Sequence, residues 1–247
     1  MVKYQQPEVH LIDSCGSDLS VANAARVSFH KTSDWEYDDH SWCGFPKLSE
    51  RDRKLLAYLA KHNHWTPFAH CFVTFRVTCC FAVARQLHKH QVGLVVNEVS
   101  RRYVSEEPTF YKPEVYRGKA ENKKQGSSGV VEVQDDYGYI EDPSGPHNFG
   151  KYVDAAECAY EACHMAYNHL LDAGVCEEQA RLVLPLGANT EFIWSGSLAA
   201  WSRVINLRTS EDAQPETAEV AEMIASHIKS LFPVSYEVLC CGQNSNP

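Results

Sequence analysis

An α+β fold in a single domain is what this sequence predicts, and three observations carry the prediction. The segment Cys71 to Cys79 alternates strictly, with Cys71, Val73, Phe75, Val77 and Cys79 on one side and Phe72, Thr74, Arg76 and Thr78 on the other, which reads as a strand with one buried face. Helical stripes such as Leu55, Leu56 and Leu59 are interleaved with strand-like runs along the chain. No linker-like tract divides the 247 residues, of which 44% are hydrophobic, so one core of ample size is expected.

Taken in order, Val9 to Ile12 predicts a short strand, and Asp18 or Ser20 is placed to cap a helix running through Ala22, Ala25 and Val27, with Ser28 at its end. Residues 30–48 are rich in Asp, Ser, Trp and Gly without periodicity and predict a long surface loop. Ser49 followed by Asp52 resembles a capping box with a short acid, opening a helix that ends near Asn63. In HWTPFAH, Pro67 breaks the chain direction and leaves His64, Thr66 and His70 near a turn. After the Cys71 to Cys79 strand, a helix is expected through about His90. An extended backbone over Glu98 to Tyr103 would put Glu98, Ser100 and Arg102 on one side.

Residues 117–151 turn to Gly, Ser, Asn, Lys and Asp and predict an irregular excursion. Tyr152 to Ala173 reads as a helix stopped by Gly174, and a second helix opens at Glu177 and Glu178, carries Arg181 and stops before Pro185. Thr190 to Trp194 predicts a strand, Leu198 to Leu207 a helix ending at Arg208, and about Pro215 to Leu231 a last helix with Pro in its first turn.

The acidic balance, net charge −9, argues against a long nucleic-acid groove or an anionic membrane as partner. No stretch approaches the ~20 apolar residues that span a bilayer, and the N-terminus lacks a signal-peptide pattern, so a cytoplasmic protein is expected. The ten cysteines include the adjacent pairs Cys79-Cys80 and Cys240-Cys241 and no CxxC, which reads as core residues in a reducing compartment. The pairs His62-x-His64 and His88-x-His90 lack the neighbouring acid of a mononuclear metal hydrolase, and no metal is expected. There is no Gly-x-Ser-x-Gly, and the GSSG at Gly126 to Gly129 lacks the Lys-Ser/Thr of a phosphate loop.

Against this background one stretch is anomalous. From Phe81 to Tyr103 the chain carries Arg85, Lys89, Arg101 and Arg102 against the single acid Glu98, with Gln86, His88, His90, Asn97 and Ser100 among apolar residues. A cationic island with hydrogen-bonding groups suits an anionic ligand such as a nucleotide, and an amphipathic helix followed by a solvated strand is the plain alternative. Arg181 in ARLVLPL and Arg208 in NLRTS lie in apolar neighbourhoods, where a guanidinium must either bind an anion or pair, for instance with Glu178 or Glu211.

The ordered set AARVSF, HWTPFAH, ARQ...KHQ...NEVSRRY, ARLVLPL and NLRTS resembles the flavin-dependent thymidylate synthases, over roughly Val9 to Ile228. The resemblance implies a single domain with a central, mostly antiparallel sheet flanked by helices, assembled as a homotetramer with active sites between subunits. It implies reductive methylation of dUMP to dTMP, with 5,10-methylenetetrahydrofolate as carbon donor and FAD, reduced by NADPH, as hydride carrier. A related flavoenzyme acting on another pyrimidine nucleotide or leaving a hydroxymethyl group, and a non-catalytic nucleotide-binding homologue, are the alternatives.

Carried over by position, the resemblance assigns Gln86, Glu98, Ser100, Arg101, Arg102, Arg181 and Arg208 to dUMP. Arg208 would sit at the uracil edge and favour the N3-deprotonated form, and Arg208, Ser100 and His64 form the implied catalytic set. Ser28, Thr66, Lys89, His90, Gln91, Ser197 and Arg203, with Glu98 near both ligands, fall where the family binds FAD, and His64 where it meets folate or flavin. The family has Arg-His-Arg, seven residues, then Ser, whereas this chain has Lys89-His90-Gln91, eight residues, then Ser100. Anchoring on Gln86 gives that alignment; anchoring on Asn97 places His90, Gln91 and Val92 there. Ala69 and Ala199 stand where some members have Glu and Arg.

Overall fold

The computed structural model describes residues 1–37, 46–121, 126–135, 137–140 and 151–241. The first half forms β1 (Lys3–Tyr4), β2 (Glu8–Cys15), α1 (Asp18–Arg26), α2 (Glu50–Lys61), β3 (Phe72–Cys80), α3 (Phe81–Leu87), β4 (Leu94–Glu98) and β5 (Thr109–Phe110). There follow β6 (Tyr116–Lys119), β7 (Ser127–Val131), β8 (Gly138–Ile140), β9 (Lys151–Val153), α4 (Ala155–Asp172) and α5 (Glu177–Ala180). The chain closes with β10 (Asn189–Ser197), α6 (Leu198–Arg208), α7 (Pro215–Leu231) and α8 (Pro233–Tyr236).

The fold class is α+β, as expected, with an antiparallel four-stranded sheet in the order β2-β3-β10-β4. At one end of the β3–β10 pair Leu198 N donates to Cys71 O at 2.9 Å, and at the other Phe81 N donates to Ala188 O at 3.0 Å, the run of an antiparallel ladder. β3 buries Val73, Phe75, Val77 and Cys79, the face that its alternation marked.

The chain divides into two compact units. One comprises the described residues of Met1–Glu8, Val77–Leu87 and Asn97–Phe192, the other those of Val9–Arg76, His88–Val96 and Ile193–Pro247. In the first, β1 pairs with β5 in parallel, and Val2, Phe110 and Ala188 form a buried cluster joined by Phe81, Tyr160 and Leu184. In the second, Trp201 packs edge-on against Phe75 and Trp194, at centroid distances of 5.1 and 4.8 Å, and its indole N–H reaches Val73 O at 3.2 Å. α7 lays Val220, Ala221, Ile224 and Ile228 into that core.

Several expectations need correction. The cap of α1 is Ser17, which exchanges hydrogen bonds with Ser20, because the Asp18 carboxylate is used elsewhere: it accepts from Val234 N and Ser235 N, both at 2.9 Å, at the start of α8. α2 does end near Asn63 as expected, at Lys61 with its cap at His62, and Asn63 takes a left-handed φ of 55°. α3 stops at Leu87 rather than His90. Residues 117–151 are not irregular throughout: β6 pairs antiparallel with β7, and β8 with β9. Low apolar periodicity hid the β6–β7 ribbon, since β7 is exposed along its length and shows no buried face. The helix expected up to Pro185 is the short α5 followed by a 3₁₀ turn over Arg181–Val183. Of the expected loop at 30–48, residues 38–45 lie outside the described residues.

Candidate functional site

In the first unit a cleft of about 620 Å³ is lined by Arg85, Glu98, Ser100, Arg101, Arg102, Glu178 and Arg181, with apolar walls from Phe81, Leu182 and Leu186. β4 delivers Glu98, whose Oε1 accepts from Thr190 Oγ1 at 2.8 Å, and Val99 N continues the pairing to Glu191 O at 2.8 Å. The chain then turns. Tyr103 N donates to Ser100 O at 3.0 Å, so Glu98, Ser100 and Arg102 do not share one strand face as the extended reading required. The turn brings Ser100 and Arg102 together by another route: Ser100 Oγ accepts from Arg102 Nε at 3.1 Å and from Arg102 N at 3.4 Å.

Arg101 Nη1 donates to Glu106 O at 2.8 Å and Arg181 Nε to Glu178 O at 3.4 Å. Among the described residues, the hydrogen bonds of these three arginines end on carbonyl or hydroxyl oxygens and leave their charges without a bonded carboxylate. Arg85, a member of the cationic stretch given no role by sequence, adds a fourth guanidinium. Four guanidiniums against Glu98 and Glu178 give the cleft lining a positive balance, with forked donors of the kind that suit an anion. Gln86, half-buried in α3, is not among the residues lining this cleft.

In the second unit a cavity of about 900 Å³ is lined by His64, Trp65, Phe68, Gly93, Ser197, Ala199 and Arg203, with Leu59 and Leu207 among its apolar walls. The end of α2 aims His64: His62 N bonds Tyr58 O at 3.1 Å, His64 N bonds Leu59 O at 2.8 Å, and the left-handed Asn63 between them turns the chain. Gly93, at φ 76°, offers its carbonyl to Ser197 N at 3.1 Å; a Cβ there would stand 3.2 Å from Ala200 Cβ and 3.3 Å from Ser197 Oγ. Only glycine meets both requirements. Arg203 Nη2 donates to Val92 O at 2.7 Å and ties this loop to α6.

The other sequence-assigned residues of this unit lie outside the cavity lining. Ser28 is exposed in the 3₁₀ turn after α1, Thr66 is exposed at the cap of the Pro67–His70 turn, and Lys89 and Gln91 are exposed. His90 is half-buried and meets Arg208, whose Nε donates to His90 Nε2 at 2.9 Å. Burial, then the charges of Arg208 and Arg203, hold the His90 pKa below the ordinary imidazole value. Arg208 lines neither the cleft nor the cavity.

Among the described residues no group of three His, Cys, Asp or Glu side chains is placed to hold a metal ion. The nine described cysteines are free thiols. Burial pushes Cys71 up to about 11 and Cys240 up to about 12, far from thiolate reactivity at neutral pH. No helix among the described residues is long and apolar enough to cross a membrane.

The family described as Thymidylate synthase complementing protein matches the chain over residues 10–234. The flavin-dependent thymidylate synthase of Thermosipho africanus is 32% identical over 229 residues, covering 93% of this chain and 89% of that one. The chain belongs to the flavin-dependent thymidylate synthase family. A family member from Thermus thermophilus is 31% identical, covering 92% of this chain and 73% of its own. Among solved structures, a UMP/dUMP methylase, PolB from Streptomyces cacaoi, bound with 5-Br dUMP, superposes with a TM-score of 0.74 at 27% identity, covering 98% of this chain and 97% of that one. The flavin-dependent thymidylate synthases are enzymes, and the cleft and the cavity are where this member's chemistry is to be sought.

Proposed function

We propose that this chain catalyses the reductive methylation of dUMP to dTMP, with 5,10-methylenetetrahydrofolate as carbon donor and FAD reduced by NADPH. The observation that carries the reading is the cleft in which Arg85, Arg101, Arg102 and Arg181, among the described residues, stand without bonded carboxylates beside Ser100 and Glu98. A 5′-phosphate takes up such donors, and Ser100 and Glu98 supply hydrogen bonds to sugar and base; the dUMP role of Gln86 rests on the family resemblance, since it does not line the cleft. Arg208 works at the uracil edge, where its fixed positive charge favours the N3-deprotonated ring and stabilises charge as C5 becomes nucleophilic.

The donor set of the second-unit cavity fits a flavin: apolar walls for a flat ring system, the Gly93 loop packed closely on α6, and Arg203, Ser197 and His64 as polar anchors. Bound flavin supplies the hydride chemistry; Ser28, Thr66, Lys89, His90 and Gln91 complete its binding, and Glu98 stands near both ligands. His64 meets folate or flavin. β4 and its continuation expose Val95, Val96 and Val99, and Leu182 and Leu186 are exposed beside the cleft, apolar surface that supports a homotetramer with sites completed by neighbouring subunits. We place the enzyme in the cytoplasm, acting as one functional domain.

UMP is the second substrate to consider, because PolB bound with 5-Br UMP also superposes, with a TM-score of 0.72 at 26% identity. The purified protein should show flavin absorbance and convert dUMP, methylenetetrahydrofolate and NADPH to a product with the mass of dTMP. Conversion of UMP in preference to dUMP, or a hydroxymethylated product, redirects the assignment; absence of both flavin and turnover overturns it.

A further inference from the structure

The motif histidine and the uracil arginine, assigned to different ligands by sequence, are bonded to each other. Arg208 is the last residue of α6, and its Nε donates to His90 Nε2 at 2.9 Å. A guanidinium has donors and no acceptor, so the bond requires an imidazole whose Nε2 carries a lone pair. That identifies the neutral ring protonated on Nδ1. We propose that His90 is a positioning residue for Arg208, a neutral imidazole that orients the guanidinium through its Nε.

Three features support it. The bond is made by Arg208 Nε, the nitrogen nearest the side-chain stem, and because the guanidinium is planar, fixing Nε fixes the plane of the whole group. The loop carrying His90 is itself held to α6, through Arg203 Nη2 on Val92 O at 2.7 Å and Ser197 N on Gly93 O at 3.1 Å, so ring and guanidinium are fixed in one body. Burial, then the charges of Arg208 and Arg203, both from α6, favour the neutral ring; Lys89 adjoins it in the chain. Protonation in acid would put an N–H on Nε2 facing the Arg208 N–H and abolish the bond.

The proposal rests on the reading that Arg208 acts on uracil, and the experiment separates the two. Imidazole ¹⁵N shifts of the wild-type protein, with His90 identified by His90→Gln, are expected to show the Nδ1–H tautomer for His90, reverting to the common Nε2–H form in Arg208→Met. That readout needs no ligand. In turnover, His90→Leu is expected to lower kcat by about tenfold to a hundredfold, the worth of a bond to a charged donor, at matched flavin content and with KM for dUMP changed less. His90→Gln, whose carbonyl accepts the same N–H at every pH, is expected to recover part of that loss and to lack the acid limb of the wild-type kcat profile. A tautomer unchanged by Arg208→Met, or a His90→Gln profile with the wild-type acid limb, overturns the proposal even in an enzyme that makes dTMP. The tautomer shift without any dTMP formation would instead show that the bond holds and the functional reading fails.

Discussion

Replacing Asp52 by Asn tests how the scaffold of the second unit is held. Asp52 is fully buried and accepts from Arg26 Nε at 2.7 Å, from Ser33 Oγ at 3.1 Å and from Ser49 Oγ at 2.8 Å, while a second Arg26 nitrogen also reaches it. The pair ties the end of α1, beyond which Ser28 lies, to α2, whose far end aims His64. An amide can keep hydrogen bonds but leaves the buried Arg26 without its counter-charge. Removing one partner of a buried pair costs about 3 to 5 kcal/mol. For a chain of this size that corresponds to a Tm lower by about 6 to 20 °C.

The pH dependence has a definite sign. Burial alone raises a carboxyl pKa, but the hydrogen bonds of Ser49, Arg26 and Ser33 and the charge of Arg26 outweigh it and lower that of Asp52. A lowered folded pKa places the stabilisation above the unfolded value of about 3.9 and removes it as pH falls through the folded pKa. The wild-type advantage over Asp52→Asn is therefore full at neutral pH and closes in acid. Differential scanning calorimetry across pH measures it. A Tm difference under about 2 °C at neutral pH, or one that persists unchanged in acid, refutes the reasoning. Arg26→Met combined with Asp52→Leu should recover much of the loss, since the charge and its partner leave together.

Arg102→Ala and Arg181→Ala should each weaken dUMP binding by about tenfold to a hundredfold, the worth of a bond to a charged group, measured by calorimetry, and the wild-type affinity should fall as salt rises. Equal affinities would remove the cleft from nucleotide binding. Single Cys→Ser variants that fold should retain turnover, because the buried thiols of Cys71, Cys79 and Cys240 are pushed up and are not thiolates at neutral pH; an inactive, flavin-loaded variant would point to a nucleophilic cysteine. Gly93→Ala should weaken FAD binding and lower stability by about 1 to 2 kcal/mol, the cost of a side chain in the left-handed region, and unchanged flavin affinity would show that Gly93 does not border the flavin.

Element type was legible wherever an apolar face is buried. β3 follows its two-residue alternation, and α7 begins and ends where Pro215 and Leu231 mark it, because burial of one face imposes a period on the residues that supply it. The cations of the cleft were likewise visible as charge in the wrong place: Arg101, Arg102 and Arg181 meet there with Ser100 and Glu98. What sequence could not supply is how they meet. The Ser100–Tyr103 turn, not a strand face, joins Ser100 to Arg102, because the hydrogen bond that closes the turn competes with ladder pairing and neither leaves a periodic trace. The β6–β7 ribbon was missed for a different reason: β7 is exposed along its length, so no buried face imposes a period. The bond between His90 and Arg208 spans 118 residues of chain, and only folding selects, among many imidazoles and guanidiniums, the two that share a hydrogen bond. Residue types and order were determined by the sequence alone; which side chain restrains which was decided by long-range packing, whose geometry no local pattern encodes.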